Sequence, residues 1–344
     1  MSMRVVIAGG TGSLGRRLAD YFGNGGHDVT ILTRSPRPDV THRQVRWDGR
    51  TVGPWACELE GAVLINLAGE VVDRRPTAAN VALLRRSRVE PTRALANAAA
   101  GLEVRPALWL QMSTTAIYGD AGQEVVEEGH PPAAGPPQMP GVARPWEEAA
   151  MGANAERLVF LRTGLVLDRG TPAFERLRRI TRAGLGGRIG DGRQWVSWIH
   201  VDDFLRAVAF LCDHELAGIV HVCAPNPIQN GDMMAALRGA LHRPWSPPTP
   251  VPLVRVGAFA MGSDAALALL GRRCVPRRLL NAEFGFQYPR FEDAVHALVA
   301  GAAGAQPSPA PSPTRALSFA APGTPAQEEV GQVVPTGGTT RLAK

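Results

Sequence analysis

A chain of 344 residues, 45% hydrophobic and 20% charged, is long enough to bury a sizeable core as one large or two unequal domains and too polar to live inside a bilayer. No stretch is apolar for long enough to span a membrane, and the first residues run straight into a predicted strand, which leaves no room for a secretory leader. The net charge of +6 comes from dispersed arginines without interleaved aromatics (the one lysine is Lys344), so neither nucleic acid nor a membrane is expected as a partner.

The four cysteines, Cys57, Cys212, Cys223 and Cys274, are scattered and form no C-x-x-C pair. That usage fits reduced thiols in a cytoplasmic protein and gives no zinc spacing, and no other metal-ligand pattern or nucleophile elbow is found.

In chain order, Val5 to Ala8 is a short apolar, β-branched run and predicts a buried parallel strand. It breaks into Gly9-Gly10-Thr11-Gly12-Ser13-Leu14-Gly15, after which Leu14, Leu18 and Phe22 recur at helical spacing. Strand, Gly-rich turn and helix open a dinucleotide-binding βαβ unit. Gly9 allows the tight turn, Gly12 lets the backbone approach a pyrophosphate, and Gly15 lets the helix sit close to the strand. Free N–H groups at the helix start then face an anion, helped by the helix dipole, which makes Thr11, Gly12, Ser13 and Leu14 candidate cofactor contacts with Gly9 and Gly15.

Asp28 to Leu32 predicts a second strand that ends at Thr33-Arg34, with Arg37 nearby. An acidic residue at this strand end binds the ribose 2′-hydroxyl of NAD, whereas an arginine suits the 2′-phosphate of NADP. Arg34 therefore points to NADP. Val45 to Trp47 is a short third strand, and Ala62 to Ile65 a clearer one running into Asn66-Leu67-Ala68-Gly69-Glu70. Small residues there let the backbone lie against the adenosine side of a cofactor, which makes Leu67, Ala68, Gly69 and Glu70 candidate contacts. A helix from about Thr77 to Ala100 follows, then a strand from Ala107 to Met112 that ends in Ser113-Thr114-Thr115-Ala116-Ile117-Tyr118-Gly119.

Asp120 to Pro145 is rich in Gly, Pro and Glu and predicts a long loop of the kind that forms functional lids. A helix is expected over Trp146 to Asn154, a sixth strand over Leu158 to Gly164, and a flexible Gly/Arg segment over Gly184 to Gly192. Asp202 or Asp203 is expected to cap a helix from Phe204 to Cys212. Ile219 to Cys223 is a late strand and Asp232 to Leu241 a further helix. Beyond about Gly301, Pro, Ala, Ser, Thr and Gly dominate, and residues 301–344 read as a disordered tail.

These motifs together carry a resemblance. Gly9 to Gly15, Ser113 to Gly119 and Trp198-Ile-His-Val-Asp-Asp203 are similar to the nucleotide loop, the Ser-Ser-x-x-Val-Tyr-Gly segment and the Phe-Ile-His-Val-Asp-Asp segment of extended short-chain dehydrogenases/reductases. More narrowly, Asn66 to Glu70, Ser87-Arg88, Trp146-Glu147, Arg162 to Leu167, Gly184 to Gly187 and Ser197 to His200 resemble the epimerase-family proteins that end in a DUF1731 domain, with residues 243–300 similar to that domain. The resemblance implies an α/β fold with a Rossmann-like, doubly wound parallel sheet. It also implies NADP binding, with Arg162 among the cofactor residues. It divides the chain into a nucleotide-binding domain over 1–167 and a smaller substrate domain over 168–300.

The resemblance fails at the chemistry. The larger family transfers protons with a Tyr-x-x-x-Lys pair, in which the lysine lowers the tyrosine's pKa. Aligned on Trp146-Glu147, this chain has Ala143 at the tyrosine and Glu147 at the lysine. No tyrosine lies between Tyr118 and Tyr288 and no lysine precedes Lys344. The DUF1731 subgroup has cysteine at the first position, and Ala143 departs from that too, as do Pro76 for a tryptophan and the short segment Asp168 to Pro172.

The third role remains available, because Thr114, with Ser113 beside it, stands where the family's hydroxyl holds the substrate oxygen. Tyr118 is a surrogate acid or a structural tyrosine at the strand end. Glu147 and Glu148 are bases or dipole partners at a helix start, and His200 is a proton shuttle or a loop tie. Trp195 and Trp198 line a pocket or fill the core.

Two functions follow. One is an NADP-dependent oxidoreductase or epimerase acting on a small carbonyl or hydroxyl substrate, with Thr114 orienting the oxygen. The other is a non-catalytic NADP-binding regulator or scaffold.

Overall fold

The computed structural model describes residues 2–301 apart from Pro244, all within one compact unit. The expectation of a disordered tail therefore falls, but for Gly301, outside the described residues.

The first part of the chain forms β1 (Arg4–Ala8), α1 (Ser13–Asn24), β2 (Asp28–Thr33), β3 (Arg43–Arg46), β4 (Val63–Asn66), α2 (Ala78–Ala100) and β5 (Leu108–Thr114). The middle forms β6 (Val125–Val126), α3 (Pro140–Glu148), β7 (Leu158–Thr163), β8 (Leu165–Leu167), α4 (Pro172–Arg182), β9 (Trp195–Val196), β10 (Trp198–His200) and α5 (Val201–Asp213). The last part forms β11 (Gly218–Val222), β12 (Ile228–Gln229), α6 (Asn230–Ala240), α7 (Val251–Ala260), α8 (Ala266–Leu269), β13 (Arg273–Cys274), α9 (Arg277–Asn281) and α10 (Phe291–Ala300).

Seven strands make one parallel sheet in the order β11-β7-β5-β4-β1-β2-β3. The order reverses at β1, with β2 on one side and β4 on the other, and a crevice opens at such a point outside the strand ends. Strands buried on both faces must be apolar throughout, and β1 meets this with Val5, Val6, Ile7 and Ala8 all buried. Val5 and Ile7 pack with Leu18 and Phe22 of α1 and with Phe204 and Val208 of α5. Val6 and Ala8 pack on the other face with Trp109 and with Leu95 of α2.

The chain after Leu167 does not stay apart from this sheet. β11 adds its seventh strand and α5 packs on its face, so the boundary drawn at 167/168 cuts through the sheet. A separate cluster holds Leu167, Phe174, Trp198, Met233, Leu237 and Phe291. Gly186 and Gly187 of the supposedly flexible segment are packed, and a Cβ on Gly187 would lie 1.8 Å from the Pro247 carbonyl oxygen.

Two helix boundaries differ from expectation. The helix expected at Trp146 starts instead at Pro140 and ends at Glu148. Pro140 is acceptable in a first turn, but Pro145 removes a bond to the Gly141 carbonyl. Arg85 of α2 replaces that bond, donating from Nε and Nη2 to the Gly141 oxygen at 3.2 and 2.9 Å. α5 starts at Val201, and its cap is His200, whose Nδ1 accepts from the Asp202 N–H at 3.1 Å. Asp203 is buried and accepts instead from the Gln287 and Tyr288 N–H groups at 2.7 and 2.8 Å.

Candidate active site

The Gly-rich turn leaves β1 at Gly9, whose φ of +78° is a left-handed conformation that glycine tolerates best. A Cβ there would come within 3.0 Å of the Ala68 nitrogen, so the turn lies against the end of β4. Gly15 does a slightly different job from the one expected. Its Cβ would stand 2.5 Å from the Gly10 Cα, so α1 presses on the turn itself rather than on the strand. Gly12 differs from both, since a Cβ there would touch only the Gly9 oxygen, at 3.4 Å. Its outer side is open.

Gly12 is also the cap of α1, without a side-chain bond and without an acidic residue in the first turn. The N–H groups of Ser13, Leu14 and Gly15 therefore have no partner within the helix and point with its positive dipole end. Thr11 lies in the same turn, its carbonyl accepting from Arg16 Nε at 3.1 Å.

Asn66, at the end of β4, is buried and ties this region together. Its Nδ2 donates to Thr92 Oγ1 and Gln111 Oε1, both at 2.9 Å, and its Oδ1 accepts from the Ala68 N–H at 3.2 Å. The expected contacts Leu67, Ala68 and Gly69 follow directly. A Cβ on Gly69 would lie 3.0 Å from the Arg88 guanidinium carbon.

Arg34 is exposed at the end of β2, with Nη2 3.6 Å from Glu70 Oε1 beyond β4. Because β1 lies between β2 and β4, this pair reaches across the end of β1. Glu70 is held by several groups. Its Oε2 accepts from Arg74 Nη2 at 3.0 Å, its N–H donates to Ser87 Oγ at 3.1 Å, and its carbonyl accepts from Arg88 Nη2 at 2.9 Å. Burial lowers the Arg88 guanidinium to about 10, and it lies 5.0 Å from the face of Trp146.

At the other end of the crevice a buried network runs from β5 to β11. Ser113 Oγ donates to Glu147 Oε1 at 2.5 Å. Arg162 Nε and Nη2 grip the two oxygens of Glu147 at 2.9 and 2.8 Å. Arg162 Nη1 donates to the Tyr118 hydroxyl oxygen at 2.7 Å, and that oxygen lies 2.6 Å from His221 Nε2. The oxygen receives the arginine proton, so its own proton goes to His221 Nε2. This leaves Nδ1–H to donate to the Val275 carbonyl at 3.0 Å. Burial holds His221 down at about 4, so it is neutral near pH 7.

Several sequence expectations are corrected here. Tyr118 is no surrogate acid, being 2% exposed with its hydroxyl doubly bonded and its pKa pushed up by burial. Arg162, expected among the cofactor residues, is 2% exposed and each of its nitrogens is bonded to Glu147 or Tyr118, so its part in the structure is to hold this network. Ser113 gives its proton to Glu147. Glu147 lies at the end of α3, not at a helix start, and partners Arg162.

Ala143, at the tyrosine position, is 2% exposed among Ile117, Tyr118, Val126, Cys223 and Cys274. Trp198 fills the core, edge-on to Phe291 at 5.1 Å, while Trp195 Nε1 donates to Gln123 Oε1 at 2.7 Å.

Thr114 is the last residue of β5. The Ala116 N–H donates to its Oγ1 at 3.1 Å, so the oxygen is fixed while its own proton remains free to donate. Among the described residues no group of three or more His, Cys, Asp or Glu is arranged to hold a metal.

Comparison with known proteins agrees with this geometry. The NAD dependent epimerase/dehydratase family matches residues 5–140, and DUF1731 matches residues 249–298. The Bos taurus epimerase family protein SDR39U1 is 33% identical over 306 residues, covering 87% of this chain and all of the bovine protein. A chloroplastic SDR39U1 homolog of Arabidopsis thaliana is 29% identical over 86% of this chain and 87% of its own length. The crystal structure of human SDR39U1 with NADPH superposes with a TM-score of 0.77 at 28% identity, covering 87% of this chain and all of that one. A nucleoside-diphosphate sugar epimerase from Corynebacterium glutamicum gives a TM-score of 0.68 at 29% identity, covering 87% of this chain and 58% of that one. With the epimerase/dehydratase model over residues 5–140, DUF1731 over residues 249–298 and a bovine epimerase family protein 33% identical over its whole length, the chain belongs to the NAD dependent epimerase/dehydratase family, among its DUF1731-bearing members.

Proposed function

We propose that this protein binds NADPH in preference to NADH and reduces, oxidises or epimerises a small carbonyl or hydroxyl compound. The observation that carries this reading is the uncapped start of α1 behind the Gly9 turn, with Arg34 at the end of β2. The residues present fit a nicotinamide dinucleotide. Gly12 is uncrowded on its outer side, the first N–H groups of α1 suit a pyrophosphate, and the Arg34 guanidinium suits a 2′-phosphate. The human relative, solved with NADPH, supports the same choice.

The bound cofactor would supply or accept a hydride. Thr114 donates its free proton to the substrate oxygen and orients it. No tyrosine is placed to finish the proton transfer, so water or a substrate group exchanges that proton. Residues 1–167 hold the cofactor and residues 168–300 shape the substrate side, apart from β11 and α5, which complete the nucleotide-binding sheet and its packing. The cytoplasm suits four cysteines that are all free thiols.

Calorimetric titration of NADPH and NADH tests this. NADPH should bind more tightly, and Arg34→Ala should weaken NADPH about tenfold while leaving NADH unchanged. Binding of neither nucleotide overturns the reading.

A second reading, a non-catalytic NADP-binding regulator, is favoured by the burial of Ala143 and the Glu147–Arg162 pair at the usual proton-transfer positions. Substrate-dependent oxidation of NADPH in a carbonyl screen decides against it.

A further inference from the structure

Arg272 forms no ion pair among the described residues, though the Asp120 charge is near enough to favour its charged form. β13 pairs with β6, and Cys274 of β13 is buried beside Ala143 and Tyr118. Residues two apart along an extended segment point to the same side, which puts Arg272 on the α3 side of this ribbon. Its contact agrees, since Nη1 lies 3.8 Å from Met139 Sδ. Met139 caps α3, and its carbonyl accepts from the Ala143 N–H at 2.9 Å. The residue that the guanidinium approaches thus lies one helical turn before Ala143.

The backbone around Arg272 is fixed on both sides. Its N–H donates to the Trp195 carbonyl at 3.0 Å and its carbonyl accepts from Ser197 Oγ at 2.9 Å. The Gly271 N–H donates to Asp120 Oδ1 at 3.2 Å, and a Cβ on Gly271 would lie 2.5 Å from the Trp195 nitrogen.

The side chain, in contrast, is barely used. Besides the Met139 thioether it reaches only the Leu270 carbonyl, at 3.5 Å. Both contacts are long for hydrogen bonds. Among the described residues no carboxylate comes within 4.0 Å of it. Asp120, the nearby acid, spends its Oδ1 on the N–H groups of Gly122 and Gly271. A half-buried guanidinium with N–H groups left over from these long contacts is suited to an anion entering from solvent.

A second unused group flanks Met139. Gln138 is buried, its Nε2 donating to the Val72 and Arg74 carbonyls at 3.0 and 2.9 Å, while its Oε1 has no donor.

We propose that Arg272 is the substrate anchor, and that the substrate is a small carboxylic acid whose reacting carbonyl or hydroxyl lies between Thr114 and α3. A planar guanidinium accepts a carboxylate with two parallel bonds. One free arginine matches one carboxylate, whereas a diphosphate needs more cations than this position offers. The Gln138 oxygen suits a hydroxyl of the same molecule. The proposal rests on the reading that the chemistry takes place beside Thr114.

Saturation-transfer NMR on the full chain, with and without NADPH, tests it with pyruvate and lactate against their uncharged amides. The acids should bind about tenfold more tightly than the amides. Arg272→Gln should abolish that difference, Arg272→Lys should keep part of it, and NADPH affinity should be the same in both variants. Amides binding as well as acids in the unaltered protein would overturn the proposal without recourse to any variant. So would an acid preference that survives in Arg272→Gln, or UDP binding that depends on Arg272 when the acids do not bind. NADPH affinity is measured separately, so a failed cofactor reading is told apart from a failed anchor.

Discussion

At the β1 end of the crevice, polar groups are left for something other than protein. The first N–H groups of α1 have no cap, Gly12 is uncrowded, and Arg34 is 72% exposed on a long 3.6 Å pair with Glu70. At the β5–β7 end the reverse holds. Ser113, Glu147, Arg162, Tyr118 and His221 satisfy one another out of water, in a chain of bonds between 2.5 and 2.9 Å. The closed end is not a gap in the structure, because the buried Glu147 carboxylate is neutralised by Arg162 of β7.

The sharpest way to break the contrast is to unpair the closed end. Glu147→Gln leaves Arg162 buried without its acid and should destabilise the protein by about 3–5 kcal/mol in urea unfolding near neutral pH. NADPH affinity should change little if the two ends are independent.

Acid tests the same network with a slightly smaller effect. His221 titrates at about 4 in the fold against an ordinary 6.5, because burial disfavours its charged form and Arg162 adds to this while Glu127 and Glu147 oppose it. The unfolded chain thus takes up a proton that the folded chain refuses. The stability tied to this group is complete above pH 6.5 and is lost as the pH falls toward 4, by about 3 kcal/mol. Urea midpoints across that range should fall, and His221→Gln should flatten the fall.

The smallest effect belongs to the open end. Glu70 pairs with Arg34 and Arg74, and under the proposed NADPH reading it would compete with the 2′-phosphate for them. Glu70→Gln should tighten NADPH about threefold and leave NADH unchanged in fluorescence titrations, a modest gain because the charges face solvent.

What could be read in advance divides along the same line. The open end was legible because its signals are local. A β-branched run, a Gly-rich turn and a small-residue segment after β4 each constrain their own backbone, and the fold class followed from their order. The absence of tyrosine and lysine was equally plain from the letters.

What replaced them was not. Ser113, Glu147 and Arg162 come from β5, α3 and β7, and only the parallel sheet brings them together. The start of α3 was hidden by Pro145, which reads as a breaker until Arg85 of another helix is seen on the freed Gly141 carbonyl. Asp203 looked like a cap because its helix is local, but residues 287 and 288 claim it from more than eighty positions away.

The Glu147–Arg162 pair has a historical side. Glu147→Lys alone would place an ammonium against a buried guanidinium, and changing Arg162 alone would strand Glu147 and strip Tyr118 of its donor. Either intermediate would lose several kcal/mol, a large share of the margin that keeps a domain folded. A lysine at position 147 is therefore tolerated only together with a change at Arg162. The ion pair thus resists piecemeal change, and the role proposed for Thr114 does not depend on a lysine at position 147.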